Sequence, residues 1–478
     1  MNIAQAKEQI KNTVIAYLSR DEYGNSEISR EEQRPVFLIG APGIGKTAIM
    51  KQISCELGIN LVSYSMTHHT RQSALGLPYI TEKIYDGQEY RVSEYTMSEI
   101  IASVYNTAEK TGIKEGILFL DEINCVSETL APSMLQFLQF KTFGGHAVPD
   151  GWIVVTAGNP PEYNRSVRPF DIVTMDRLKR IDVAPDYGAF RKFSLENNIH
   201  PAVLTYLEIK KQNFYAVEMT AEGRIFVTAR GWTDLSSILR LYEKKGLTVN
   251  SDLISQYIQH PKIARDFSAY YDLFRKYRAD YEIESILAGS PSEAIHERAL
   301  KAAFDERIAL CGLLLDRVCE DAQRLCVKES ALLEIRNHIK QEDSSEKVLE
   351  EIEKKLEKAA VSHSMKEEQL RTLRFEKHFY ENAAGDLRDV FRSESAAFKD
   401  ETVILKQAME NVFEFLEAVF RDSHEMLIFV TELTTNPYSS LFISHYGCEG
   451  YFRHSHDLMF YERNKEIAAR IAEMEGLD

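Results

Sequence analysis

Cysteine is scarce in this chain and scattered. Six residues (Cys55, Cys125, Cys311, Cys319, Cys326 and Cys448) are spread over 478 positions, and none forms a C-x-x-C pair. That pattern argues against a disulfide framework or a zinc module and makes a reducing cytoplasm the expected setting. Long apolar runs are missing too. Met426-Leu427-Ile428-Phe429-Val430 is among the longest, far short of the ~20 residues a membrane span needs. Met1 to Lys11 has no apolar stretch of the signal-peptide kind. Internal repeats and low-complexity tracts are absent. Positive charge is in deficit: 57 Lys and Arg against 73 Asp and Glu, a formal net charge of -16. A general nucleic-acid binder would carry a basic face instead. Nucleic acid is therefore not the expected partner, although a local basic channel stays open.

What remains is an ordinary globular composition, 44% hydrophobic and 27% charged, in a chain too long for a single core. Residues 3–18 place Ile3, Ala6, Ile10, Val14 and Leu18 at helical spacing. From 35 to about 186 short apolar runs alternate with helical stretches. Strands are predicted at 35–40, 60–66, 116–121, 152–157 and 180–184. This alternation predicts an α/β fold with a parallel sheet, in which ligands bind at the carboxyl ends of the strands. After Pro185 the pattern turns helical, interrupted at 222–227. Ala288-Gly289-Ser290-Pro291-Ser292 reads as a linker with a serine cap and proline in the first helical turn. Residues 292–326 keep Ile295, Ala299, Ala303, Ile308, Cys311, Leu315 and Val318 on one face. The charged segment 345–373 reads as a long solvated helix whose apolar register breaks at His363 and Lys366.

Chemistry enters with Gly40-Ala41-Pro42-Gly43-Ile44-Gly45-Lys46-Thr47, followed by Ala48. The G-x-x-x-x-G-K-[ST] pattern follows a strand run, Pro35 to Ile39, and opens a helix-forming run. Its glycines let backbone N–H groups curl around phosphates at a helix N-terminus. Lys46 would reach the β- and γ-phosphates of ATP, and the Thr47 hydroxyl would hold Mg²⁺. A second apolar strand, Ile117 to Leu120, ends in Asp121-Glu122. Asp121 would hold Mg²⁺ through its water shell, and Glu122 would polarise the attacking water. A third, Trp152 to Ala157, ends in Gly158-Asn159-Pro160. Asn159 could bond the γ-phosphate or the water, or simply cap the turn before Pro160-Pro161. Arg177 and Arg180 are either surface cations or, in an oligomer, the source of an arginine finger. Arg230 lies in the first turn of a helix predicted to start at Thr228, where a cation opposes the macrodipole unless an anion is near.

These elements, in this order, resemble the AAA+ ATPases, specifically the MoxR-like branch, over about residues 30–245. The resemblance makes Gly40 to Thr47 Walker A, Ile117 to Glu122 Walker B, Asn159 sensor 1, Arg177 an arginine finger acting in trans, and Arg230 sensor 2. It implies a RecA-like core over 1–187, a helical lid over 188–280 with sensor 2, and a helical C-terminal domain over 281–478. It also implies a hexameric ring with ATP between subunits, a hairpin within Phe140 to Asp150, and chaperone-like work on a protein client with a von Willebrand factor A-domain partner.

Two further clusters stand outside these motifs. His68-His69 lies just past a strand, and His445, Cys448, His454 and His456 are irregularly spaced among aromatics. Solvated or packed surface is the simpler reading of each. Two alternative functions accompany the leading one. A nucleic-acid-directed, restriction-type AAA+ NTPase also carries the wording Asp121-Glu122-Ile123-Asn124. A nucleotide-dependent scaffold would bind ATP with little turnover.

Overall fold

The computed structural model describes residues 1–455 except 165, 221–222, 363–364, 384–385 and 422, with the side chains of all of these save His68 and Arg71. Two compact units emerge. One comprises Met1–Ala189 with Glu346–Leu370, the other Phe190–Ser345 with residues from Arg371 onward.

The first unit is built on five parallel strands: β1 (Val36–Gly40), β2 (Asn60–Ser65), β5 (Gly116–Asp121), β8 (Trp152–Gly158) and β9 (Lys179–Val183), in the order β2-β5-β8-β1-β9. This is the α/β parallel sheet that the alternation predicts, in the RecA-like arrangement that the resemblance implies. The central strands β5 and β8 are buried almost throughout, whereas the edge strand β9 alternates. A sheet covered by helices on both faces requires that difference. α1 (Ile3–Leu18) precedes the first strand, and between the strands run α2 (Lys46–Leu57), α3 (Arg71–Leu75), α4 (Glu99–Thr111), α5 (Ala131–Phe140) and α6 (Ile172–Asp176). Lys7 and Lys11 of α1 both pair with Glu56 of α2, at 2.5 and 2.8 Å.

Two hairpins leave the sheet. β6 (Thr142–Phe143) and β7 (His146–Ala147) form the expected one, and its Phe143 ring stacks on Phe137 with centroids 4.1 Å apart. The other, β3 (Pro78–Tyr85) with β4 (Gln88–Tyr95), was not foreseen from the sequence. Its apolar residues Ile80 and Ile84 are exposed rather than buried, so no core-facing periodicity marks it as sheet. Lys141, at the C-cap of α5 with φ 53°, joins α5 to β6. Its ammonium donates to Arg30 O (2.7 Å) and Gln33 Oε1 (3.2 Å), and burial, seconded by the Arg30 charge, pushes it down to about 8.

The second unit is helical apart from one hairpin, β10 (Ala216–Thr220) with β11 (Gly223–Val227), which accounts for the interruption near 222–227. Its helices include α7 (Tyr187–Glu196), which starts in the first unit, α8 (Pro201–Ile209), α9 (Ala229–Lys245), α10 (Ser251–Tyr257), α11 (Pro261–Asp280), α12 (Ile283–Leu287) and α13 (Glu293–Lys301). α14 (Phe304–Lys340) follows, 37 residues and therefore about 55 Å long. α15 (Ser345–Ser362), nearly all of it in the first unit, and α16 (Glu367–Asn382), which starts in the first unit, split the charged segment where the apolar register breaks. α17 (Leu387–Phe420), α18 (His424–Thr435) and α19 (Pro437–Tyr446) complete the order.

Two local expectations shift. The helix after the linker is capped at Ser292 rather than Ser290, leaving Pro291 outside it, and the 292–326 face is broken at 302–303 into α13 and α14. The core of this unit joins Leu310, Leu314, Val412, Phe413, Phe429 and Phe442.

Candidate nucleotide site

The carboxyl ends of β1, β5 and β8 converge in the first unit. Gly45, at φ 96°, is the N-cap of α2, and Gly43 has φ 72°. Left-handed backbone of that kind is disfavoured for a side chain bearing Cβ, and it is what a phosphate-cradling loop requires. Lys46 begins the helix, 8% exposed, and its Nζ donates to Gly40 O (2.8 Å), Ala41 O (2.9 Å) and Asn159 Oδ1 (2.9 Å). The ammonium thus links the loop after β1 to the residue after β8. Thr47 Oγ1 donates to Asp121 Oδ2 at 3.0 Å, tying α2 to the end of β5. The Glu122 amide donates to Asp121 Oδ1 at 2.9 Å.

Glu122 itself sits in the left-handed region, φ 57°, at the start of a single 3-10 turn, Ile123–Cys125. Its Oε2 accepts from Ser65 Oγ (2.9 Å), the last residue of β2, and from Thr67 Oγ1 (3.1 Å), two residues on. Nothing in the sequence marks those two hydroxyls, because serine and threonine at a strand end look like any turn. Beside them Cys125, whose Sγ accepts from Asn164 Nδ2 at 3.3 Å, is held above the usual thiol range. Burial does most of this and the charges of Glu122 and Asp121 the rest.

Gly40, Ala41, Pro42, Gly43, Ile44, Gly45, Lys46, Thr47, Ala48, Asp121, Glu122 and Asn159 therefore occupy one stretch of strand ends and the helix that follows β1. The donor set suits a nucleotide with its cation: an ammonium and a glycine loop at a helix N-terminus for phosphate, and a hydroxyl beside a carboxylate for a hard cation such as Mg²⁺.

The arginines are carried by other elements. Arg177 caps the C-terminus of α6, exposed, with Nη1 donating to the neutral Gln139 Oε1 at 2.7 Å. Arg180, on β9, forks onto the Asp182 carboxylate through Nε and Nη2. Arg230 belongs to the second unit. It is exposed in the first turn of α9, whose N-cap Thr228 accepts from Gly231 N at 3.3 Å.

Outside this region His69 Nδ1 meets Ser73 Oγ at 3.2 Å. His445 pairs with Glu329 at 3.2 Å and His454 with Glu417 at 2.9 Å, while Cys448 is buried with its thiol pushed up to about 12. His456 lies outside the described residues. Among the described residues no three His, Cys, Asp or Glu side chains group as metal ligands, and no helix is long and apolar enough to cross a membrane.

Sheet order, glycine loop and the lysine–amide and hydroxyl–carboxylate links define a P-loop nucleotide-binding domain of the AAA+ ATPase type. Residues 35–178 match the family model of the AAA domain, dynein-related subfamily. A curated relative, the Lon protease of Endomicrobium trichonymphae, is 22% identical over 341 residues, covering 66% of this chain and 39% of that protein.

Proposed function

We propose that this chain is an ATP-hydrolysing AAA+ protein of MoxR-like character that remodels or matures protein complexes in the cytoplasm. The observation that carries the reading is the double link Lys46–Asn159 and Thr47–Asp121 at the strand ends. It supplies phosphate, metal and water-facing groups from separate strands within one site.

In this reading Gly40 to Ala48 cradle the phosphates, and Lys46 exchanges its carbonyl acceptors for β- and γ-phosphate oxygens. Mg²⁺, held by Thr47 and Asp121, would neutralise charge on those oxygens. Glu122 orients and polarises the attacking water, drawing on a carboxylate that Ser65 and Thr67 hold in the meantime. Asn159 fixes the γ-phosphate or that water. Arg177 is favoured over Arg180 as the finger, because Arg180 is locked in a forked ion pair with Asp182, whereas Arg177 hydrogen-bonds the neutral Gln139 amide and feels the Asp171 carboxylate only as a nearby charge. Arg230 serves as sensor 2. The proposed organisation is a core over 1–187, a lid over 188–280 and a helical domain over 281–478. A hexameric ring binds ATP between subunits and acts on a protein client with a von Willebrand factor A-domain partner.

Phosphate release by the purified chain tests the reading. Glu122→Gln is expected to cut turnover by about 10²–10⁴ while retaining ATP; unchanged turnover removes Glu122 from the mechanism. Mixing Arg177→Ala with Glu122→Gln subunits should partly restore hydrolysis if the finger acts in trans, and should not if it acts within its own chain. Stimulation by nucleic acid that survives moderate salt would favour the restriction-type alternative.

A further inference from the structure

One buried side chain beside the site has no part in the scheme above. Asn124 lies in the 3-10 turn directly after Asp121-Glu122, 6% exposed. Its Nδ2 donates to Asn159 O at 2.8 Å, and its own carbonyl accepts from Arg168 N at 2.9 Å. The neighbouring Gly158 is the other half of the arrangement. A Cβ there would lie 2.4 Å from Asn124 Oδ1 and 2.6 Å from its Cγ, so the carboxamide crosses the end of β8 only because position 158 has no side chain.

Asn159 is thereby held at both ends. Its carbonyl receives the Asn124 amide, and its own Oδ1 receives the Lys46 ammonium. The requirement at position 124 is for a donor. A carboxylate of the same shape would set a second acceptor against the Asn159 carbonyl, next to Asp121 and Glu122, and a buried acceptor–acceptor contact is costly.

We propose that Asn124 is a positioning residue for hydrolysis, locking the turn that carries Asp121-Glu122 to the strand end that carries Asn159. Gly158 is the space that admits it. Asn124 touches none of the reacting groups and acts through Asn159. This inference rests on the ATPase reading above.

Steady-state phosphate release and binding of a fluorescent ADP analogue, on the full chain, test it. Asn124→Asp keeps the shape and loses the donor. The expected result is a fall in kcat of about 10- to 100-fold, the range that follows from small displacements of catalytic groups, with ADP affinity changed less than about twofold. Combining it with Asn159→Ala should cost no more than Asn159→Ala alone, because the two act in series. Gly158→Ala approaches the same carboxamide from the other side and should give the same kcat loss. Adding Asn124→Ala to it should restore the melting temperature but not kcat.

Undiminished kcat in both Asn124→Asp and Gly158→Ala, equal losses in kcat and ADP affinity, or multiplicative losses with Asn159→Ala would each overturn the assignment. Absence of turnover in the unsubstituted chain would instead overturn the ATPase reading.

Discussion

Two polar clusters, one in each unit, use burial in opposite ways. In the second, His200 accepts the Ala202 amide at Nδ1, so its Nε2 carries the proton that reaches Glu243 at 3.1 Å. Glu243 also accepts from Tyr271 (2.9 Å) and Arg278 (2.8 Å). Beside this network Trp232, Tyr206 and Phe267 pack with centroids 5.2–5.7 Å apart, and Trp232 Nε1 donates to Phe214 O. Polar groups there satisfy one another inside the fold. In the first unit they converge instead at strand ends, on a glycine loop and two partly exposed carboxylates, where an incoming phosphate can compete for them. Polar burial specifies architecture in one place and a candidate binding site in the other. The difference lies in whether the partners close on themselves.

The sharpest break of this comparison is Trp232→Ala. It empties a fully buried indole site in the second unit and should cost about 3–5 kcal/mol in denaturant unfolding. Nucleotide affinity is expected to change far less than stability. Lys46→Ala is the converse. Losing a charge-assisted donor to phosphate should weaken nucleotide binding by about 2–3 kcal/mol, roughly 30- to 150-fold, by titration of a fluorescent analogue.

The closed network predicts a pH signature. Burial draws Glu243 upward, but the hydrogen bond from His200, then the Tyr271 hydroxyl and the Arg278 charge, outweigh it and hold the carboxyl down at about 2. A depressed folded-state value means stability fully present above the unfolded value of ~4.3 and lost as pH falls toward 2. Acid unfolding of the native chain compared with Glu243→Gln should therefore converge across that window, from a difference of about 1–2 kcal/mol once solvent screening is allowed for. The smallest effect belongs to the surface. Glu56→Ala removes the partner of Lys7 and Lys11 between α1 and α2 and should cost no more than about 1 kcal/mol, less at high salt.

Legibility followed the same division. The inner strands β1, β5 and β8 could be read because buried parallel strands are continuous apolar runs. β2 and β9 could be read from shorter apolar stretches in the same alternation, and the site where chemistry demands a fixed spacing, as at Gly40 to Thr47. The β3–β4 hairpin could not, since its apolar residues face solvent and its alternation points to no core. Nor could Ser65, Thr67 and Asn124, whose importance comes from residues tens of positions away in the chain. The break at 302–303 was hidden because the apolar face continues across it.

By itself the sequence determined the sheet-forming segments, the glycine loop and the carboxylate and amide that end its strands. These depend on local composition and on backbone preferences that act over a few residues. Only the tertiary structure decided that Lys46 meets Asn159, that Thr47 meets Asp121, and that Gly158 leaves room for Asn124. Strand order β2-β5-β8-β1-β9 sets those distances, and strand order arises from packing the whole sheet.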